Sequence, residues 1–444
     1  MRAVAADAYT AREVMASPRA FAADPHEPDA ARTTAFFVVV TPLLWGAGLL
    51  VPVAGLLVLW LTLRGGTRLL VAPIAVVWVL VAVAQGISVV VNGVGDERGA
   101  GFIAYRLLST GVTGWLLLGL ALAVGARYRM ASPVLVRAIT ILGGHFLLFG
   151  LLALLLHSFT GLTELELPTP PALVLPASAP AVEFSFTMRV FSTEDLLGRD
   201  LPRLVLFYPW AVVLGFAGIA VFFVAQLEHW FPLRLLGSAG GLLAVLGSQG
   251  RAPILGLIIL LFANAILTRF DRRALVLAVA STFFAMAVLV AFGITPIDVV
   301  TWAYEEVSAL RPGSTMAREL GYALSIAGFL DSPVLGQGWV GGWVATGIPL
   351  PVGSHSSFYG LLYTGGLVTF GAFAIALVTT LVVLVRRAGG GAVQRTGLLI
   401  ALALALLSYG EGIYSFVLPC TPLLLFLGGT LAAEPAPVPE WRRA

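Results

Sequence analysis

The residues best suited to chemistry are gathered in one polar interval, Ile294 to His355, set between apolar segments. It carries Arg311 and Arg318, passes through the run Gly336-Gln-Gly-Trp-Val-Gly-Gly342 and ends at His355, just before an apolar segment opens at Ser356. A guanidinium is permanently cationic and grips phosphate oxygens through a forked set of donors. An imidazole titrates near neutrality and is the natural general base there. Together, at a membrane surface, they suit an anionic, lipid-linked substrate. Arg251 extends the set. It follows Ser248-Gln-Gly and precedes Pro253, which places a cation at a helix N-terminus, where anions bind. Glu411, in Ser408-Tyr-Gly-Glu-Gly-Ile-Tyr414, sits near the end of an apolar segment, where a carboxylate is costly unless partnered. It either pairs with an arginine or contacts a sugar hydroxyl.

Other chemistries lack support. Gly336-Gln-Gly338-Trp-Val-Gly341 has the letters of a dinucleotide-binding turn, but no strand–helix–strand unit surrounds it. The run reads instead as a flexible turn whose glycines permit positive φ and close approach, and such a turn could also let backbone N–H groups meet a phosphate. No His, Cys or carboxylate set has metal-ligand spacing, so neither metal nor cofactor is expected. His145 reads as a helix–helix hydrogen bond within the membrane, and His157 is a secondary candidate near its surface. The single Cys420 forms no internal disulfide. Every basic residue is Arg and no basic stripe occurs, so nucleic acid is not an expected partner.

These residues must be held by membrane helices. The 444 residues are 59% hydrophobic and 11% charged, with a mean hydropathy of +0.96. Near-continuous apolar runs exclude the alternation of barrel strands, which leaves helices. The expected fold is an all-α polytopic membrane protein of about 12 transmembrane helices. The apolar segments are 34–50, 51–64, 69–92, 101–124, 134–158, 205–227, 235–249, 252–268, 274–293, 356–385, 396–413 and 416–433. The first two share one block, broken by Pro42, Gly46, Gly48 and Pro52, which reads as a tight hairpin.

Arginine asymmetry orients the bundle. Most of the 26 basic residues, including Arg64, Arg127, Arg234, Arg272 and Arg386, fall with both termini on one side, taken as cytoplasmic. Arg98, Arg251, Arg311 and Arg318 lie opposite. Residues 1–32 read as a disordered cytoplasmic tail, 33–433 as the membrane domain and 434–444 as a second cytoplasmic tail. Two outer loops span 159–204 and 294–355. The first is rich in proline and acidic residues, and its part from Thr193 to Leu201 reads as a surface helix. In the second, Ser314 or Thr315 caps a helix that ends at Asp331-Ser-Pro333. Met316, Leu320, Leu324 and Ala327 form an apolar stripe on it; Arg318, Tyr322 and Ser325 form another face. This amphipathic helix is expected to lie on the outer membrane surface.

At these residues the chain resembles the O-antigen ligase and O-antigen polymerase superfamily. The resemblance rests on Arg318-Glu-Leu-Gly-Tyr-Ala-Leu, on Asp331-Ser-Pro-Val-Leu-Gly-Gln-Gly338, on His355 followed by Leu361-Leu-Tyr-Thr-Gly-Gly366, and on the turn ending in Arg251. It covers about 235–385, a ligase-like core. The family often has Asn where this chain has Ser356, and Trp where it has Tyr322. The resemblance implies a GT-C-like fold in the cytoplasmic membrane that works without a metal. It implies transfer of a glycan from an undecaprenyl-diphosphate carrier to an acceptor hydroxyl on the outer face. The partners would be that donor, a glycan or lipid-linked acceptor and membrane lipids. Arg251 and Arg318 would hold the diphosphate and His355 would take the acceptor's proton. Arg311, Tyr322 and Glu411 are further candidates for acceptor or sugar contacts. The rival expectation is a lipid-linked oligosaccharide flippase, whose polar residues would line a cavity near the bilayer midplane. An inactive scaffold in a glycan-export complex is a third.

Overall fold

The computed structural model describes residues 27–65, 73–174, 186–196, 199–269, 312–342 and 351–432. Most of them are helical. The helices are α1 Glu27–Val39, α2 Thr41–Gly46, α3 Leu50–Gly65, α4 Pro73–Gly95, α5 Ala100–Arg106, α6 Leu117–Arg127, α7 Pro133–Thr160, α8 Pro170–Val174, α9 Ala211–Ala225, α10 Phe231–Gly247, α11 Arg251–Arg269, α12 Pro312–Asp331, α13 Ser357–Arg387, α14 Ala392–Gly410 and α15 Thr421–Ala432. A π-helical stretch, Leu107–Leu116, joins α5 to α6 in one continuous rod. Three strands, β1 Glu164–Pro168, β2 Thr187–Leu196 and β3 Arg199–Leu204, form an antiparallel meander.

Among the described residues, six helices are long and apolar enough to cross a membrane: Ile74–Gly95, Ala100–Arg127, Pro133–Thr160, Arg251–Thr268, Ser357–Gly390 and Ala392–Gly410. Four shorter apolar helices, α3, α9, α10 and α15, pack among them. This is a helical membrane protein. The expected segment 274–293 lies outside the described residues, as do both expected tails apart from residues 27–32, which open α1.

The core is built around α9. Nearly all its residues are buried, so it is apolar on every side. Lipid gives no hydrophobic drive for helices to associate, so close backbone approach must do it. Glycines supply that approach: a Cβ at Gly218 would stand 2.7 Å from Gly241 O, and one at Gly143 2.5 Å from Gly237 O. The first apolar block does fold back on itself at Gly48 (φ +70°), and Arg64 at the end of α3 meets Asp29 in α1 at 3.3 Å.

The meander corrects the first outer loop. Thr193–Leu201 is no helix; its ends belong to β2 and β3, paired Thr193 to Pro202 and Leu196 to Arg199.

Helix α13 is broken within its length. Gly366 has φ +60° and ψ −161°, a conformation open essentially to glycine alone. About nine residues of helix precede it, roughly 14 Å, near half the hydrocarbon thickness. Backbone groups freed there need partners, and the segment Pro333–Gly338 provides them. Gln337 N and Gly338 N donate to Tyr363 O and Thr364 O at 2.6 and 2.9 Å. Leu367 N and Val368 N donate to Pro333 O and Val334 O at 2.9 and 3.2 Å. From α4, Ser88 Oγ donates to Thr364 O at 2.7 Å and also reaches Leu335 O, while Gln85 Nε2 donates to Gly338 O at 3.1 Å. The glycine-rich run is therefore a backbone plug for an interrupted helix. Its N–H groups at Gly336, Gln337, Gly338 and Gly341 all have protein acceptors, which corrects the expectation that they meet a phosphate.

Candidate functional site

Four elements bring their ends to one end of the bundle. Trp78 of α4 bonds Thr380 of α13, and Ser88 bonds Thr364, so the two helices run antiparallel and the end of α4 lies level with the start of α13. The start of α13 is tied to the end of α14. Ser357 N and Oγ donate to Glu411 O at 3.0 and 2.9 Å, and Ile413 N donates back to Ser357 Oγ at 3.0 Å. Ser356 caps α13 by accepting from Phe358 N and Tyr359 N. Helix α12 lies across this end, its last turn leading into the plug.

The sequence-derived faces of α12 are present. Met316, Leu320 and Leu324 are exposed, on the side expected toward lipid. Arg318, Tyr322 and Ser325 look the other way, into a small open cleft lined also by Gly353, His355 and Tyr359. Ser314 and Thr315 both lie inside α12, so neither is the N-cap that was expected. Thr315 instead accepts from both Nη1 and Nη2 of Arg251 at 3.2 Å. One helical turn separates Thr315 from Arg318, so the two arginines converge on one stretch of α12.

Arg318 is anchored from behind. Its Nη2 donates to Glu411 Oε1 at 2.9 Å and its Nη1 to Gly410 O at 3.1 Å. Burial alone would lower the guanidinium pKa, but Glu411 and Tyr322 raise it above its usual value, so it stays charged. Glu411 is 4% exposed and does not line the cleft. Of its two expected roles, pairing with an arginine is the one seen. Tyr322 stacks on Tyr359 with ring centres 4.4 Å apart, and its hydroxyl donates to His355 O at 3.5 Å. Burial pushes the Tyr322 phenol above its usual pKa, against the pull of Arg318, so it remains a donor.

His355 is held in one tautomer. Its Nδ1 lies 2.7 Å from Ser354 Oγ, and that hydroxyl donates its single proton to Pro351 O at 2.6 Å. Ser354 Oγ must then accept from Nδ1–H, which leaves the lone pair on Nε2. Burial, reinforced by the Arg318 charge, lowers the imidazole pKa to about 4. The ring is neutral at physiological pH with Nε2 free to take a proton.

The candidates thus divide. His355, Arg318 and Tyr322 share the cleft; Arg251 stands one turn along α12; Glu411 lies behind Arg318; Arg311 lies outside the described residues. His157 is remote, its Nδ1 2.8 Å from Leu162 O in its own loop. His145 is no helix–helix hydrogen bond at Nδ1, which is buried without a partner. Sequence reasoning misses Arg203. From β3 its Nε donates to Ser248 O at 2.9 Å, and its charge acts on Glu411. Its place beside Pro202, at the entry to an apolar run, was the available signal. Among the described residues no group of His, Cys, Asp and Glu could hold a metal.

Compared with known proteins, the chain matches no protein-family model and no curated protein sequence.

Proposed function

We propose that this chain is a membrane glycosyltransferase related to the O-antigen ligases and polymerases, acting on a lipid-diphosphate-linked glycan at the outer face of the cytoplasmic membrane. The observation that carries the reading is the shared cleft: a neutral imidazole with Nε2 free faces an anchored guanidinium, with a second guanidinium one helical turn away. An acceptor hydroxyl attacks the anomeric carbon of the donor sugar. The new carbon–oxygen bond forms as the bond to the diphosphate oxygen breaks, with inversion. The hydroxyl proton passes to His355 Nε2, and the diphosphate leaves with the bonding electrons. Arg318 and Arg251 neutralise that charge, as fixed donors do at other developing anions. The cleft is open, so the glycan would extend outward from it.

The test is in cells. His355→Ala and Arg318→Ala, each shown by immunoblot to reach the membrane, are expected to abolish the polymer and accumulate carrier-linked glycan. Full polymer with both variants would remove the proposal.

One observation favours the transporter reading instead. Discontinuous membrane helices such as α13 form substrate sites near the midplane in transporters. Here the break is closed by the plug, and the charged groups gather just before the start of α13, which fits surface chemistry better. Purified protein in liposomes that moved a fluorescent lipid-linked oligosaccharide between leaflets, with no glycan transferred, would reverse that preference.

A further inference from the structure

Two outward arginines take no part in the cleft. Arg98 follows α4 and Arg106 ends α5. The Arg98 guanidinium lies over Phe102 at 5.5 Å and over Trp339 at 5.8 Å, and those rings meet edge to face at 5.0 Å. The Arg106 guanidinium lies over the same Phe102 at 5.2 Å and over Tyr105 at 5.8 Å. An arginine at a membrane edge commonly reaches for headgroups and aromatic rings commonly sit beside it. This cluster is more constrained than that. Both cations share one ring, and neither forms an ion pair with a carboxylate among the described residues, although Asp96 and Glu97 adjoin Arg98. Arg106 Nε is buried and has no hydrogen-bond partner. Ring faces fix the guanidinium planes but supply no acceptor for their N–H donors. Two ordered like charges with free donors call for an anion.

Their location gives the anion a role. Trp339 belongs to the plug, and the end of α4 is level with His355. Arg106 acts electrostatically on Tyr414, in the turn just after Glu411. Gly412 lies between: a Cβ there would meet Ser354 O at 2.7 Å and the Tyr414 ring at 3.0 Å. Tyr414, on which the Arg106 charge acts, therefore adjoins Gly412, which packs against the segment that holds His355.

We propose that Arg98 and Arg106 form a second phosphate-binding subsite, separate from the Arg251 and Arg318 pair, for the phosphate of a second lipid. On the function proposed above, that lipid is the carrier-linked acceptor, as a polymerase requires; an anionic phospholipid headgroup offers the same chemistry. Native mass spectrometry of the full chain in detergent would count bound farnesyl diphosphate, phosphatidylglycerol and, as a neutral control, phosphatidylcholine. Wild type is expected to bind two farnesyl diphosphates. Arg98→Gln with Arg106→Gln should weaken one of them about ten- to hundredfold, and Arg251→Gln with Arg318→Gln should weaken the other. Arg98→Gln alone, at an exposed position, should give a smaller loss in the same direction and covers misfolding of the double variant. Loss of phosphatidylglycerol only would assign the subsite to a headgroup. Binding of every probe unchanged in both Arg98 variants would overturn the subsite. Unchanged binding in the Arg251 and Arg318 variant alone would count against the proposed function and leave the subsite standing.

Discussion

His355 alone among the cleft residues could accept a proton at neutral pH, and its neighbours decide how. The lowered pKa has a sign that can be checked. In the unfolded chain the imidazole protonates near 6.5; in the fold it resists until about 4. Between those values the unfolded state binds the proton first, so this residue's contribution to stability falls as pH drops through that window. Activity should follow the folded value. The acid limb of kcat/KM, which reports the free enzyme, is expected at about pH 4; a limb near 6.5 would contradict the buried, arginine-facing imidazole. Ser354 is a positioning residue. Ser354→Ala should lower kcat about tenfold with little change in KM, the worth of one hydrogen bond that fixes the tautomer, and Ser354→Thr should restore it. An unchanged kcat would remove the role. Arg318, Tyr322 and His355 were legible because cation, aromatic and imidazole stand out in an apolar chain. Ser354 and Arg203 were not, since serine beside a turn is commonplace and Arg203 matters only through strand β3 folding back beside Ser248.

At the scale of elements, periodicity read α12 well. Its apolar stripe and polar face survive in the structure, and Asp331 ends it where Pro333 demands. The break in α13 was illegible. The segment 356–385 reads as one continuous apolar span, and Gly365-Gly366 inside it has no local signature of interruption. The signal lies in the pairing of two distant segments, Pro333–Gly338 with 363–368, which no window contains. The same long-range dependence hid the β-hairpin at Thr193–Leu204, whose strands alternate too briefly to outweigh a helical reading. The plug makes a testable demand. Gly366→Ala forces a side chain into a conformation that is essentially glycine's alone, which costs about 1–3 kcal/mol in the backbone, and drives its Cβ into Val334. The thermal midpoint in detergent should fall. Gly371→Ala, five residues on in the same helix and facing open space, should leave it level or raise it. Equal midpoints for the two variants would mean that the break is not under this constraint.

The whole molecule is a bundle with two unlike ends. At one end Arg64, Arg127 and Arg387 lie in the last turns of α3, α6 and α13; at the other, helix ends converge on a buried Arg318–Glu411 pair and the cleft beside it. Composition was enough to expect a bundle of apolar helices. Which helix ends meet could not be read, because that depends on glycine contacts such as Gly218 against Gly241 between segments with near-identical composition. The most direct measurement is the single-turnover rate at which purified protein transfers a defined glycan from its lipid diphosphate, compared between wild type and His355→Ala, with carrier binding measured alongside. The account predicts a fall of about 10²–10⁴ in rate, the usual contribution of a general base, with carrier affinity retained. Transfer at the wild-type rate by His355→Ala would contradict it.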